Sequence, residues 1–321
     1  VAIANYLCKY YSTNIIFLKG IKKDYQLELD KKINVYCFAK DNYFTKLLKA
    51  RRLIENYKNG KSIILSMCLS ADIFSVLLKN NSYKISSIRG NLIKNYYYSY
   101  SFIGIILALF HMFIQNLLDL TLVMHNQMLK QVKTFSKTKI ISINNFIEES
   151  KLFGFFKKKI NFSKRISFVF VGGLNNRKDP LSLIKAFEKI CFKNDFLLHI
   201  IGNGPLKKKI YHYINKKNLN NHVILHGFLK SPYSVVSESD VFVLPSYSEG
   251  TPRAAMEALF LGVPCVLRDV EGNSELIDKE LKNGELFRFN DELPDILLKI
   301  SYRSRKRLFR KIFCPKNSLS I

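Results

Sequence analysis

The chain is predicted to be an α/β protein built from two parallel-sheet halves, and three observations carry that prediction. In the first half, six short runs rich in β-branched residues (TNIIFL, INVYCFA, KSIILSMCL, KISSIRG, LTLVMH and KIISINN) alternate with helix-length segments. From Ile166 onward the alternation restarts more sharply, with strands ISFVFVGGL, FLLHIIGNG, VILHGF, VFVLPS and PCVLRDV set among helical runs. Between the halves, FIEESKLFGFFKKKINFSK is polar, lysine-rich and without a clean period. Strands separated by helix-length segments define βαβ units and a parallel sheet.

The expected organisation is a first domain over residues 1–146, a linker over 147–164 and a second domain over 165–321. Each domain reads as Rossmann-like, with ligand expected in a cleft facing the C-terminal ends of the strands. The chain opens VAIANYLCKYYSTNIIFLKG, an amphipathic helix running into a strand, so the first strand of the first sheet is expected to be missing. The segment FIGIILALFHMFIQNLLDLTLVM (102–124) is long and apolar, but His111, Gln115, Asn116 and Asp119 interrupt it. It reads as a buried or interfacial helix leading into a strand, with a membrane span as the alternative. The tail from Ser301 begins as a basic helix and then loses its pattern.

A length of 321 residues leaves room for two cores of ordinary size. The chain has 51 Lys and Arg against 25 Asp and Glu, a formal charge of +26. Such a balance fits an anionic partner (nucleic acid, a membrane face or a phosphorylated substrate), while the parallel richness in Lys, Asn, Ile, Tyr and Phe fits a biased codon pool equally well. The six cysteines form no C-x-x-C pair and read as reduced core residues of an intracellular protein, without a zinc site.

The chemistry concentrates in SEGTPRAAMEALFLGVP (248–264). Thr251 is a good N-cap, Pro252 suits the first helical position, and Gly262 before Pro264 is a stop signal. Glu257 then falls among Ala, Met, Leu and Phe, where a carboxylate is costly unless something polar reaches it. Backbone N–H groups from Gly250 to Arg253 at the helix start form an anion site. Arg177 and Lys178 follow the first strand of the second half and precede Asp179-Pro180, another N-cap pair. They read either as fixed positive charge aimed at negative charge developing on a leaving group or as two solvated loop charges. Arg89, at the end of the KISSIRG strand, is a candidate for an acceptor phosphate or a structural residue. GNGP (202–205) is a tight turn into a helix, either a ligand loop or a purely structural one.

FVFVGGLNNRKDPLSLIKAF, IIGNGPL, VILHGF, SDVFVLPSYSEGTPRAAMEALFLGVPCV and GNSELI together resemble, in order and spacing, the C-terminal domain of retaining GT-B glycosyltransferases of family 4. The likeness is close over about residues 166 to 289 and loose before that. It implies two Rossmann-like domains facing a cleft, a nucleotide-diphosphate sugar as donor, and no metal or other cofactor; the absence of a D-x-D sequence agrees with the last. It implies that Glu249 accepts hydrogen bonds from sugar hydroxyls and that Glu257 binds the ribose, the alternative for Glu257 being a pair with Arg253 at i, i+4. Arg177, Lys178 and Glu249 are then the catalytic group. Gly172, Gly204, Gly250, Thr251, Pro252, Arg253 and Glu257 bind donor, and Arg89 binds acceptor. Many relatives place an Arg where this chain has Gly173, so Arg177 must supply that charge.

The function expected is transfer of a hexose or N-acetylhexosamine to a glycan or polyprenyl-linked acceptor in surface polysaccharide synthesis. The setting expected is cytoplasmic, peripheral on the membrane face, where the basic and aromatic IKNYYYSYSF stretch suits an anionic interface. The alternatives are a truncated, inactive GT-B protein and a basic nucleic-acid-binding protein. Against the latter, Lys is spread along the chain and no nucleic-acid motif is present.

Overall fold

A computed structural model describes residues 2–18, 29–55, 62–78, 81–155, 165–278 and 280–305. Residues 156–164, the second half of the expected linker, and the tail beyond Arg305, with Cys314, lie outside the described residues. All strand pairings defined residue by residue are parallel, in three sheets.

The first half contains α1 (Ala2–Leu7), β1 (Asn14–Phe17), β2 (Asn34–Cys37), α2 (Tyr43–Glu55), β3 (Ile63–Ser66), α3 (Leu69–Leu77), β4 (Tyr83–Ser87), α4 (Leu92–Gln115), β5 (Leu120–Val123), α5 (Asn126–Lys133) and β6 (Lys139–Ser142). β1 and β2 form a two-stranded sheet; β3 to β6 form a four-stranded sheet in chain order. Every expected strand of this half is present. Two 3₁₀ turns, Glu149–Lys151 and Phe153–Phe155, follow β6.

The second half carries β7 (Ile166–Val171), α6 (Pro180–Cys191), β8 (Phe196–Ile201), α7 (Lys207–Lys216), β9 (Val223–Gly227), α8 (Tyr233–Glu238), β10 (Val241–Leu244), α9 (Arg253–Phe260), β11 (Cys265–Arg268), α10 (Glu271–Ser274), β12 (Gly284–Phe287) and α11 (Leu293–Arg305). Its six-stranded sheet has the order β12-β11-β10-β7-β8-β9, reversing direction at β7. β10 and β11 are buried at every position and β7 at five of its six, as expected of a sheet covered on both faces. Phe168, Phe170, Phe187, Phe196 and Phe242 fill the space between sheet and helices.

Three expectations need correction. α9 starts at Arg253, one residue later than expected, because Pro252 is the cap residue, with ψ of 112°; the Thr251 side chain does not cap it. Gly262 does end it, at φ of +77°. Cys37 and Cys68 are exposed rather than core residues, while Cys8, Cys191 and Cys265 are buried and free. Of the buried and interfacial readings of the apolar segment after residue 101, the buried one fails, and the helix Leu92–Gln115 is long and apolar enough to cross a membrane by length and composition. Phe102, Ile103, Ile106, Phe110 and Phe113 of α4 are exposed, whereas the polar His111 and Gln115 are buried. The inversion has a cause in the first-half sheet. Asp72 of α3, wholly buried, accepts hydrogen bonds from Ser66 of β3 and from Ser86 of β4 at 2.8 Å, and lies 2.7 Å from His111 Nε2. Gln115 donates to Ser86 at 3.1 Å. Of the residues that interrupt the apolar run, His111 thus meets a buried carboxylate and Gln115 holds the serine that donates to it. α4 also breaks at Ser101, whose φ of 54° and ψ of −136° lie outside the helical region.

The chain divides into two compact units. The first comprises residues up to Ile88 with Phe110–Leu122 and Phe135–Ile141; the second comprises Arg89–Leu109, Val123–Thr134 and the chain from Ser142. The segment beginning at Arg89 therefore belongs with the second sheet.

Candidate active site

The site is assembled in the second unit, from loops that leave the C-terminal ends of β7 and β10. β7 runs into Gly172-Gly173-Leu174, and the turn that follows is held by Asn175, whose side chain accepts from the Lys178 N–H at 3.0 Å. Asp179 then caps α6 in a left-handed conformation (φ 48°, ψ 45°) and accepts from Ser182 N–H at 3.4 Å, with Pro180 in the first turn, as expected. This geometry aims Arg177 and Lys178 at the second loop. β10 ends at Leu244, and the chain passes through Pro245 to Glu249 before α9. The Tyr247 N–H donates to the Arg177 carbonyl at 2.9 Å, fastening one loop to the other.

Where the loops meet, the Glu249 carboxylate is 6% exposed and sits 2.5 Å from Lys178 Nζ and 3.5 Å from Arg177. Arg177 also donates to the Ser248 carbonyl. Two cations face one carboxylate, so the cluster keeps a surplus positive charge next to the start of a helix. The first N–H groups of α9 have no intrahelical acceptor and reinforce it, by ~0.3–2 kcal/mol for an anion.

Gly250 is enclosed by other backbone. A Cβ there would lie 2.6 Å from the Arg89 carbonyl oxygen, and a Cβ on Gly272 would lie 1.1 Å from the Gly250 carbonyl oxygen. The Thr251 carbonyl accepts from the Asn145 side chain at 2.9 Å. Arg89 is exposed; partial burial and the neighbouring Arg253 lower its pKa. Arg253 lies 3.5 Å from Glu257, the i, i+4 pair expected as the alternative role for that carboxylate. Burial raises the pKa of Glu257, Arg253 opposes the rise, and Glu148 adds to it. A Cβ on Gly172 would lie 3.1 Å from the Phe170 ring and 3.7 Å from the Lys178 stem, and a Cβ on Gly204 would meet the Leu174 carbonyl oxygen at 2.4 Å. The structure thus gathers Arg89, Arg177, Lys178, Glu249, Gly250, Arg253 and Glu257 around the start of α9. Gly204 lies one loop away, against the backbone of the β7 loop.

His226 of β9 pairs with His199 of β8, ring nitrogens 2.9 Å apart. Burial lowers both pKa values, and for His199 the second imidazole lowers it further. Sequence pattern does not single out four residues at the site: Tyr98, Tyr247, Arg268 and Glu271. An Arg closing the otherwise apolar PCVLRDV strand is the one available clue, since a buried charge demands partners. Glu271 of α10 accepts from Lys94 at 2.7 Å and from Asn91 at 3.3 Å.

Residues 153–304 match the family model described as glycosyl transferases, group 1. The structure superposes on Anabaena HepE, solved with UDP and glucose, with a TM-score of 0.78 at 15% identity over 96% of this chain and 87% of that one. It superposes on sucrose-phosphate synthase of Thermosynechococcus elongatus with a TM-score of 0.75 at 17% identity over 95% and 86%. The architecture is the two-domain GT-B fold of glycosyltransferases.

Among proteins of known name, the chain is 38% identical over 144 residues to the Escherichia coli UDP-Gal:alpha-D-GlcNAc-diphosphoundecaprenol alpha-1,3-galactosyltransferase, covering 43% of this chain and 37% of that protein. It is 28% identical over 297 residues to an uncharacterized glycosyltransferase of Methanocaldococcus jannaschii, covering 86% of this chain and 72% of that one. The chain spans well under half the length of the first of these relatives.

Proposed function

We propose that the chain is a retaining hexosyltransferase of family 4 that works without a metal. It moves a hexose or N-acetylhexosamine from a nucleotide-diphosphate sugar to a glycan or polyprenyl-linked acceptor in surface polysaccharide synthesis. The observation that carries this reading is the Glu249 carboxylate held between Lys178 and Arg177 at the start of α9.

In the proposed reaction, the donor diphosphate rests on the N–H groups from Gly250 to Arg253, with Thr251 and Pro252 shaping the turn and Gly172 and Gly204 leaving room beside it. Glu257 accepts from the ribose hydroxyls. Glu249 accepts from the sugar hydroxyls, which exchanges its ion pair for a substrate contact and frees Lys178 and Arg177. Those cations then neutralise the diphosphate as the anomeric C–O bond breaks, the kind of electrostatic term that usually dominates catalysis. The departing phosphate oxygen takes the acceptor's proton, and Arg89 binds an acceptor phosphate. The diphospho-undecaprenol named for the E. coli relative supports an acceptor of that kind.

The site of action proposed is the cytoplasmic membrane face. α4 exposes Phe102, Ile103, Ile106, Phe110 and Phe113 on a chain of charge +26, a combination suited to an anionic lipid surface.

The test is thermal stabilisation by a panel of UDP-, GDP- and ADP-sugars, followed by transfer assays with the donor that binds. A rise in Tm with one nucleotide family, and product retaining the anomeric configuration, is expected. No shift with any donor would overturn the donor-site assignment.

A further inference from the structure

Arg268 closes β11, a strand buried at all four positions, and is itself 5% exposed. Its Nε donates to the Pro245 carbonyl at 3.0 Å and Nη1 to the Arg288 carbonyl at 2.8 Å. Nη2 donates to Asn290 Oδ1 and lies 3.6 Å from Asp179 Oδ2. The guanidinium carbon lies over the Tyr247 ring, 4.3 Å from its centroid, and over the Phe287 ring, at 4.9 Å. Tyr98 stacks on Tyr247, centroids 5.3 Å apart and planes within 16°. Asn290 completes the arrangement by donating to the Tyr247 hydroxyl at 3.2 Å.

These partners are not scattered through the core. Pro245 and Tyr247 belong to the loop that ends at Glu249, and Asp179 ends the loop that carries Arg177 and Lys178. One planar cation thus touches both loops from behind, at the level where their side chains form the carboxylate–cation cluster. We infer that Arg268 is a positioning residue for transfer: lying over Tyr247 and Phe287, with Tyr98 stacked on Tyr247, it fixes the β7 and β10 loops relative to each other.

A purely structural role makes a different forecast. An apolar side chain of similar length would fill the slot but leave the Asp179 carboxylate and two backbone carbonyls without this donor, so stability falls under either role and only the site readouts tell them apart. Such a residue could not hold the Pro245 carbonyl and the Asp179 carboxylate at once. A lysine would keep the charge but lose both the fork and the stacked faces.

The proposal rests on the function given above for which reaction slows, and on the geometry alone for which loops loosen. The experiment therefore reads both, on Arg268→Met and Arg268→Lys in the whole chain. Expected for Arg268→Met are a lower Tm that still leaves the protein folded at the assay temperature, donor Kd within about three-fold, and kcat lower by about 100-fold, the scale on which small misplacements of reacting groups act. Arg268→Lys should recover little of that loss. Hydrogen exchange should rise at residues 175–179 and 245–249 together and stay unchanged along β8 and β9. Unchanged kcat in folded Arg268→Met, or exchange that rises throughout the second sheet, would overturn the inference. If Arg268→Met does not fold, Tyr98→Leu, which leaves the guanidinium in place, carries the same readouts with a kcat loss of several-fold expected. If the parent transfers no sugar, the functional reading fails and the exchange pattern alone decides the role of Arg268.

Discussion

The two larger sheets solve the same problem in opposite ways. In the second half, strands such as β10 (VFVL) and the first three residues of β11 are apolar throughout, buried on both faces, and the charged groups collect on the loops at one end. In the first half, β3 and β4 begin exposed, and the carboxylate of Asp72 lies wholly buried in a knot of Ser66, Ser86, His111 and Gln115 while α4 turns apolar residues outward. The difference teaches where rigidity is placed. A dry aromatic core holds loops well enough to position Glu249 against two cations, whereas a core held by directed hydrogen bonds releases a helix face for contact with something else.

The contrast can be broken at several points. Phe168→Ala should cost about 3–5 kcal/mol in urea unfolding, because Phe168 is fully buried against Phe187 and Phe196. Asp72→Ala should cost ~3 kcal/mol by taking the shared acceptor away from His111 and both serines, and Asp72→Leu should not restore it. An Asp72→Ala protein as stable as the parent would mean that the knot is incidental. Glu249→Ala should leave the unfolding midpoint nearly unchanged and lower kcat by ~100-fold or more, on the scale of removing one preorganised polar contact to the transition state. Loss of fold in that variant would instead assign the carboxylate to structure.

On the outward face of α4, Phe102→Ser and Ile106→Ser should each move stability by less than ~0.5 kcal/mol. Each should also weaken retention on anionic vesicles by about ten-fold, as expected for removing one buried apolar side chain from an interface. Equal retention of parent and variants would sink the membrane assignment. The smallest effect is expected at Glu257. Its carboxyl is raised by burial, so the native state holds the proton more tightly than the unfolded chain. The stabilisation that this gives is full below the ordinary value of 4.5 and is lost as pH rises through the raised one. Glu257→Gln should therefore raise the urea midpoint at pH 7 and not at pH 4, while weakening donor binding about ten-fold through loss of a charged hydrogen-bond acceptor.

Much of the second half was legible because buried parallel strands write themselves as apolar runs, and because Asp179-Pro180 and Gly262 punctuate helices by mechanisms visible in one residue. β12 was not legible. Its GELF segment has a Gly and a Glu among four residues, and only pairing with β11 makes it a strand. α8, YSVVSE, was hidden in the same way, too short and too polar for a period to show. At the site, Glu249, Arg177 and Lys178 could be named from local pattern. The stack of Tyr98 on Tyr247 could not, because its members lie 149 positions apart in a chain whose first half diverges from the resemblance. α4 shows the limit most clearly: the apolar run was visible, but which side of it faces water depends on Asp72, a residue outside the helix altogether.

The close approach of Gly272 to the Gly250 carbonyl carries a lesson for laboratory evolution of this chain. A Cβ at position 272 would lie 1.1 Å from that oxygen, so any other residue there forces the Gly250 backbone to shift, and a library randomised there should be depleted in folded members. Diversity has to enter at its neighbours, and Glu271, whose carboxylate accepts from Lys94, is more open to exchange than Asn273, which is wholly buried and donates to the Arg268 carbonyl.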